Sequence, residues 1–136
     1  MKKEFVTYEI ALKLKELGFD EECIGCFCID CGEESFIFSY KFRKNSKLKS
    51  HITAPLWQQV IDWFRETHQI YITIDFAVRV DESTLEIIEI VGWNSKIEYC
   101  KVGSDLEYTL LCTNGNVSYQ EAREQGILKA LELLKT

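Results

Sequence analysis

Ile70-Tyr71-Ile72-Thr73-Ile74-Asp75-Phe76-Ala77-Val78-Arg79-Val80 is the stretch that decides the fold class. Ile70, Ile72, Ile74, Phe76, Val78 and Val80 point one way, while Tyr71, Thr73, Asp75, Ala77 and Arg79 point the other. A strict period of two with one apolar and one largely polar face is a strand of an antiparallel sheet, because parallel strands are covered on both faces. Asp81-Glu82-Ser83-Thr84 has turn chemistry, and Leu85 to Val91 is expected to return antiparallel to the first strand. Two further short strands are expected near 97–102 and 106–112. In the second, Leu106, Tyr108, Leu110 and Cys112 share a face.

Toward the N-terminus, Thr53-Ala54-Pro55 opens a helix, since proline is tolerated in the first turn. Leu56, Val60, Trp63, Phe64 and Thr67 line one side of it, and Trp57 and Ile61 broaden the stripe. A polar, basic connector, Arg43 to His51, precedes it. Residues 23–31 and 34–42 read as two strands joined around Gly32, the second alternating Phe36, Phe38, Tyr40 and Phe42 with polar residues and Ile37. Thr7 caps a helix over 8–17, with Ile10, Leu14 and Leu17 inward and Gly18 as its stop. At the other end, Thr113 to Asn116 form a turn. Ser118 and Glu121 then make a capping box for a helix striped by Ile127, Leu131 and Leu134. Gly126 weakens that helix by about 1 kcal/mol relative to alanine.

These readings predict an α+β fold: one antiparallel sheet of five to six strands with three helices mainly on one face, in the order α-β-β-α-β-β-β-β-α. A length of 136 residues predicts one domain over 1–136. A formal charge of −6 gives no global sign of a nucleic-acid or acidic-membrane binder. No signal-peptide run, membrane span or lipidation signal is read, so the expected compartment is the cytoplasm, where thiols stay reduced.

Cys23, Cys26, Cys28 and Cys31 form a C-x2-C-x-C-x2-C array. Four thiolates suffice for a tetrahedral zinc or iron–sulfur site, but zinc sites usually separate their two cysteine pairs by a dozen or more residues. If 23–31 is a strand, Cys23 and Cys31 lie about 26 Å apart at ~3.3 Å per residue, and packing replaces metal binding. The expectation is therefore packing thiols and no cofactor, with the array kept as a metal candidate. Lys41, Arg43, Lys44, Lys47 and Lys49 place five cations in nine residues beside Tyr40 and Phe42, a candidate grip for a nucleic-acid backbone. The alternative is a solvated loop balanced by Asp20-Glu21-Glu22 and Glu33-Glu34. His51 and His68 lack any hydrolase signature, and His68 is expected to serve the end of the second helix. Asp75 reads as a sheet-face residue, and no phosphate loop is present.

Three blocks, 4–20 (Glu-Phe-Val-Thr-Tyr-Glu-Ile-Ala-Leu-Lys-Leu-Lys-Glu-Leu-Gly-Phe-Asp), 54–66 (Ala-Pro-Leu-Trp-Gln-Gln-Val-Ile-Asp-Trp-Phe-Arg-Glu) and 118–134, cover about a third of the chain. The sequence in these blocks resembles a group of short proteins encoded by phages and prophages of gut anaerobes. That resemblance implies a phage setting in the host cytoplasm and no particular activity. With no catalytic constellation legible, the expected function is that of a small non-enzymatic accessory protein. It would act by binding another protein or itself, with Trp93 and Tyr99 as the first interface residues to examine. The alternatives are a nucleic-acid-binding accessory protein using 41–51, and a metal-binding protein using the cysteine array or an enzyme of unrecognised type.

Overall fold

The Thr7 hydroxyl accepts from the Ile10 N–H at 3.4 Å and starts α1 (Tyr8–Glu16). Gly18, at φ +89°, turns the chain away from it, as a left-handed stop requires. The remaining elements are β1 (Cys23–Cys28), β2 (Ile37–Arg43), β3 (His51–Ala54), α2 (Trp57–His68), β4 (Ile70–Val80), β5 (Ile87–Cys100), β6 (Glu107–Leu111) and α3 (Tyr119–Lys135). These come from a computed structural model, which describes residues 2–100, 107–113, 115 and 117–135. Leu106 of the expected last strand and Asn114 and Asn116 of the expected turn lie outside the described residues.

The fold is α+β with antiparallel pairing throughout, but the sheet is divided. Among the described residues, six strands form two three-stranded sheets, ordered β2-β1-β3 and β4-β5-β6, rather than one sheet of five to six strands. The chain falls into two compact units, Met1–Trp63 and Phe64–Thr136, and the boundary lies inside α2.

In the first unit β1 is central, with Gly25 opposite Phe38 on one side and Ala54 on the other. A methyl group at Gly25 would come within 2.9 Å of the Ala54 carbonyl and of the Phe5 ring, so only glycine lets these backbones approach. α1 packs against β3. Phe5, Phe27 and Phe36 form an aromatic cluster, with Phe5–Phe36 centroids 5.0 Å apart and Phe27–Phe36 5.5 Å. Trp63 meets Phe19 edge-on at 5.3 Å.

Two expectations fail here for local reasons. Residues 51–54 form a short strand rather than the approach to a helix. α2 begins at Trp57, and Pro55 lies between the two elements. The strand expected over 23–31 stops at Cys28, because the backbone reverses through Asp30 at φ +68°. The observed order is therefore α-β-β-β-α-β-β-β-α.

In the second unit β4 matches its sequence reading end to end. The two strands expected over 85–91 and 97–102 are one element over the described residues, β5, which runs 14 residues through Gly92, while Lys101 and Val102 lie outside the described residues. Register shifts after Ala77 and after Arg79 absorb Val91 and Ile88 as bulges. α3 lies on β4 and β5, and Ser118 caps it by accepting from the Glu121 N–H at 3.1 Å. Gly126 is where helix meets sheet: a Cβ there would stand 3.0 Å from Ile72 Cγ2 and 3.3 Å from Ser95 Cβ. Ile97, Ser95, Ile127, Ala130 and Leu131 are buried around this contact.

Candidate interaction surface

The apolar face of the second sheet extends further than the helix that covers it. Antiparallel partners share a face, so Ile72 with Ile97, Ile74 with Ser95 and Phe76 with Trp93 form successive rungs on the α3 side. The first residue of α3, Tyr119, sits edge-on to Trp93 at 5.1 Å, and Trp93 meets Phe76 at 6.2 Å. From there α3 runs back over Ile72 and Ser95. On the other side of Trp93, toward the 81–86 turn, the same stripe continues through Val78, Ile90, Val80 and Ile87.

Among the described residues β6 pairs only with Lys96 to Cys100, and none forms a third strand beside the outer part of the hairpin. Ile87 and Ile90 are each 62% exposed and Phe76 52%. The two bulged residues, Ile88 and Val91, are exposed as well. A two-stranded ribbon exposing this much apolar surface departs from the usual manner of managing a sheet in water.

The tip of the ribbon is fixed and acidic. Asp81 accepts hydrogen bonds from the Ser83 N–H at 2.8 Å, the Ser83 hydroxyl and the Thr84 N–H. Those donors, the Ser83 hydroxyl foremost, hold its carboxyl below the usual range. Leu85 closes the loop through its N–H to the Asp81 carbonyl at 2.8 Å. It does so at φ +61°, a conformation costly for a branched side chain, with the side chain in solvent. Arg79 Nε and Glu89 Oε1 are 2.7 Å apart across the strands, while Asp81, Glu82 and Glu86 add three further negative charges.

Trp93 and Tyr99 are both half-buried. Trp93 closes the core where the ribbon begins. Tyr99 stacks on Tyr108 at 5.4 Å and, with Tyr71, Glu98 and Glu107, lines a cavity of about 510 Å³. The residues that sequence reasoning missed are Ile87, Ile88 and Ile90. Their only signal was a continuous Ile-Ile-Glu-Ile-Val run where an alternating strand was expected.

The cysteine array is not assembled as one site. Cys23 and Cys26 are buried in β1. Burial pushes the Cys23 thiol up to about 12, against the Thr53 hydroxyl beside it, and pushes Cys26 upward despite Arg43. Cys28 and Cys31 are joined as a disulfide with Cα atoms 5.3 Å apart, a departure from four reduced packing thiols. The turn at Asp30, whose N–H is held by the Tyr8 hydroxyl at 2.9 Å, brings Cys31 back toward the strand end. Among the described residues no three His, Cys, Asp or Glu side chains are grouped to hold a metal ion.

The basic segment is exposed but not a loose loop. Asn45 is buried within it, its amide donating to the Phe19 carbonyl at 2.9 Å and its oxygen accepting from the Thr53 N–H at 2.9 Å. Lys41, Arg43, Lys44 and Lys47 line a cavity of about 510 Å³ around Phe42 and Leu48, with Glu22 at its edge. Lys49 is exposed outside it. Asp20 accepts from the Ser46 N–H at 2.7 Å; this bond and the Ser46 hydroxyl, then Lys44 and Lys47, hold its carboxyl low. Phe42 is 68% exposed.

His51 pairs with Cys28 in the β1–β3 ladder. His68 is at the end of α2, where burial pushes its pKa down. Asp75 is exposed on the sheet face.

Comparison of the chain with protein-family models, with curated proteins and with solved structures gives no match. Among the described residues no helix is long and apolar enough to cross a membrane.

Proposed function

We propose that this is a non-enzymatic binding protein whose working surface is the outer ribbon of the β4–β5 hairpin. The observation that carries the reading is the apolar stripe that outruns α3, with Phe76, Ile87 and Ile90 more than half exposed. An apolar centre with an acidic rim suits a protein partner whose own apolar patch is edged by lysine or arginine. The strained, solvent-facing Leu85 supports the same location, since strain of this kind collects at recognition sites. The resemblance of the helical blocks to short phage and prophage proteins adds a setting to the proposal: an accessory protein in the cytoplasm of a bacterial host.

The test is site-specific photocrosslinking in cells producing the full chain, with benzoylphenylalanine in place of Ile88 or, as a control, in place of Thr109. Discrete protein adducts from position 88 and none from position 109 are the expected result. No adduct from position 88 would remove the reading.

A second reading gives the Lys41–Lys47 cavity to a nucleic-acid backbone, and the exposed Phe42 among four cations favours it. Salt-sensitive binding of a fluorescent single-stranded oligonucleotide, lost in Lys44→Glu/Lys47→Glu, is its signature.

A further inference from the structure

The ribbon needs an occupant, and the chain itself carries a surface with the complementary chemistry. The ribbon offers Phe76, Val80, Ile87 and Ile90 beside the surplus carboxylates Asp81, Glu82 and Glu86. Around Phe42 and Leu48 stand Lys41, Arg43, Lys44 and Lys47. The first surface is apolar with three surplus negative charges. The second is apolar with four cations against Glu22 and Asp20. Both have an apolar centre, and their rims are of opposite sign.

We infer that the occupant of the ribbon is a second copy of this chain, whose Phe42-centred basic surface seats it. This rests on the ribbon being the binding surface and adds the identity of the partner. Every copy carries one ribbon and one seat, and the assembly inferred is a dimer in which each ribbon meets the seat of the other copy. Standard interfaces bury about 1,600 Å² in total, so each of the two contacts has to supply roughly half. Because the rims are charged and exposed, association is steered and salt-dependent, while the apolar centre sets the dissociation rate.

Charge reversal tests this in the full chain by sedimentation equilibrium, at concentrations up to ~100 µM, which saturate a micromolar dimer. Wild type is expected to be dimeric at low salt and to dissociate as salt rises. Glu82→Lys/Glu86→Lys puts a basic ribbon against a basic seat, and Lys44→Glu/Lys47→Glu puts an acidic seat against an acidic ribbon. Each alone should weaken association by about 100-fold. Mixing the two variants restores both contacts and should return a heterodimer of near wild-type affinity.

All four exchanged residues are exposed and outside the buried cores, and circular dichroism of each variant verifies its fold. A monomeric wild type, or dimers indifferent to both reversals, overturns the inference. Position-88 crosslinks at twice the chain mass support it. Crosslinks only at other masses overturn it while leaving the ribbon as a binding surface; no crosslinks at all remove both. Oligonucleotide binding at the seat of a monomeric wild type assigns that surface to nucleic acid and likewise overturns it.

Discussion

Asn45 stands among lysines and serines, where nothing in the sequence marks it as structural. Its two hydrogen bonds tie the basic segment to Phe19 and to β3, and it is one of few polar side chains buried in the first unit. Replacing it with alanine leaves the Thr53 N–H and the Phe19 carbonyl unpaired. The expected loss in Asn45→Ala is about 2–3 kcal/mol in urea denaturation, because a buried orphaned amide costs more than an average hydrogen bond contributes.

Cys23 gives a pH signature. Its folded-state pKa of about 12 exceeds the ordinary thiol value of 9.0, so between these limits the unfolded chain releases a proton that the folded chain keeps. Stability from this group is complete below about pH 9 and falls as pH rises toward 12. Urea midpoints measured from pH 8 to 10.5 should decline, and the Cys23→Ala variant, though less stable at pH 8, should decline less steeply. An equal slope in both would remove the assignment to Cys23.

At the scale of elements, Gly126 separates local propensity from packing. Propensity alone favours alanine there by about 1 kcal/mol. The α3–sheet contact opposes it, since the added methyl would press on the side chains of Ile72 and Ser95. Overpacking costs about 1–3 kcal/mol, so Gly126→Ala is expected to destabilise by roughly 1 kcal/mol despite the better helix former. A variant more stable than wild type in thermal melts would show that the sheet yields.

The same scale explains which elements were legible. β4 was read to the residue because eleven positions alternate without a break, and α1 and α3 because Thr7, Gly18 and Ser118 mark their ends. β3 was missed because four residues carry too little pattern, and the adjacent Pro55 is equally a helix opener. β5 was divided in the reading because its bulges at Ile88 and Val91 break the period of two. Bulges belong to the pairing of two strands and leave no reliable trace in either one alone.

Across the whole molecule, the six cysteines occupy four different environments. Cys23 and Cys26 are buried, Cys28 and Cys31 are paired, Cys112 is half-buried and Cys100 is exposed. Burial also pushes the Cys112 thiol up. Timed iodoacetamide labelling of the native chain, followed by peptide mass spectrometry, should modify Cys100 first and Cys112 more slowly. Cys23 and Cys26 should react only after unfolding, because the thiolate is the reacting species and these two are both covered and held protonated. Early labelling of Cys26 would contradict the burial of β1.

The sequence by itself determined the helices, the antiparallel character of the strands and the α+β class. These follow from periodicity and capping, which act over a few residues and are written locally. Tertiary structure alone decided that the strands form two sheets, that the cysteine array splits, and that Asn45 anchors the basic segment. It also decided that the apolar face of β4 and β5 outruns α3. Whether an apolar residue is core or surface depends on the length of the element laid over it, and that element is fixed by residues far along the chain.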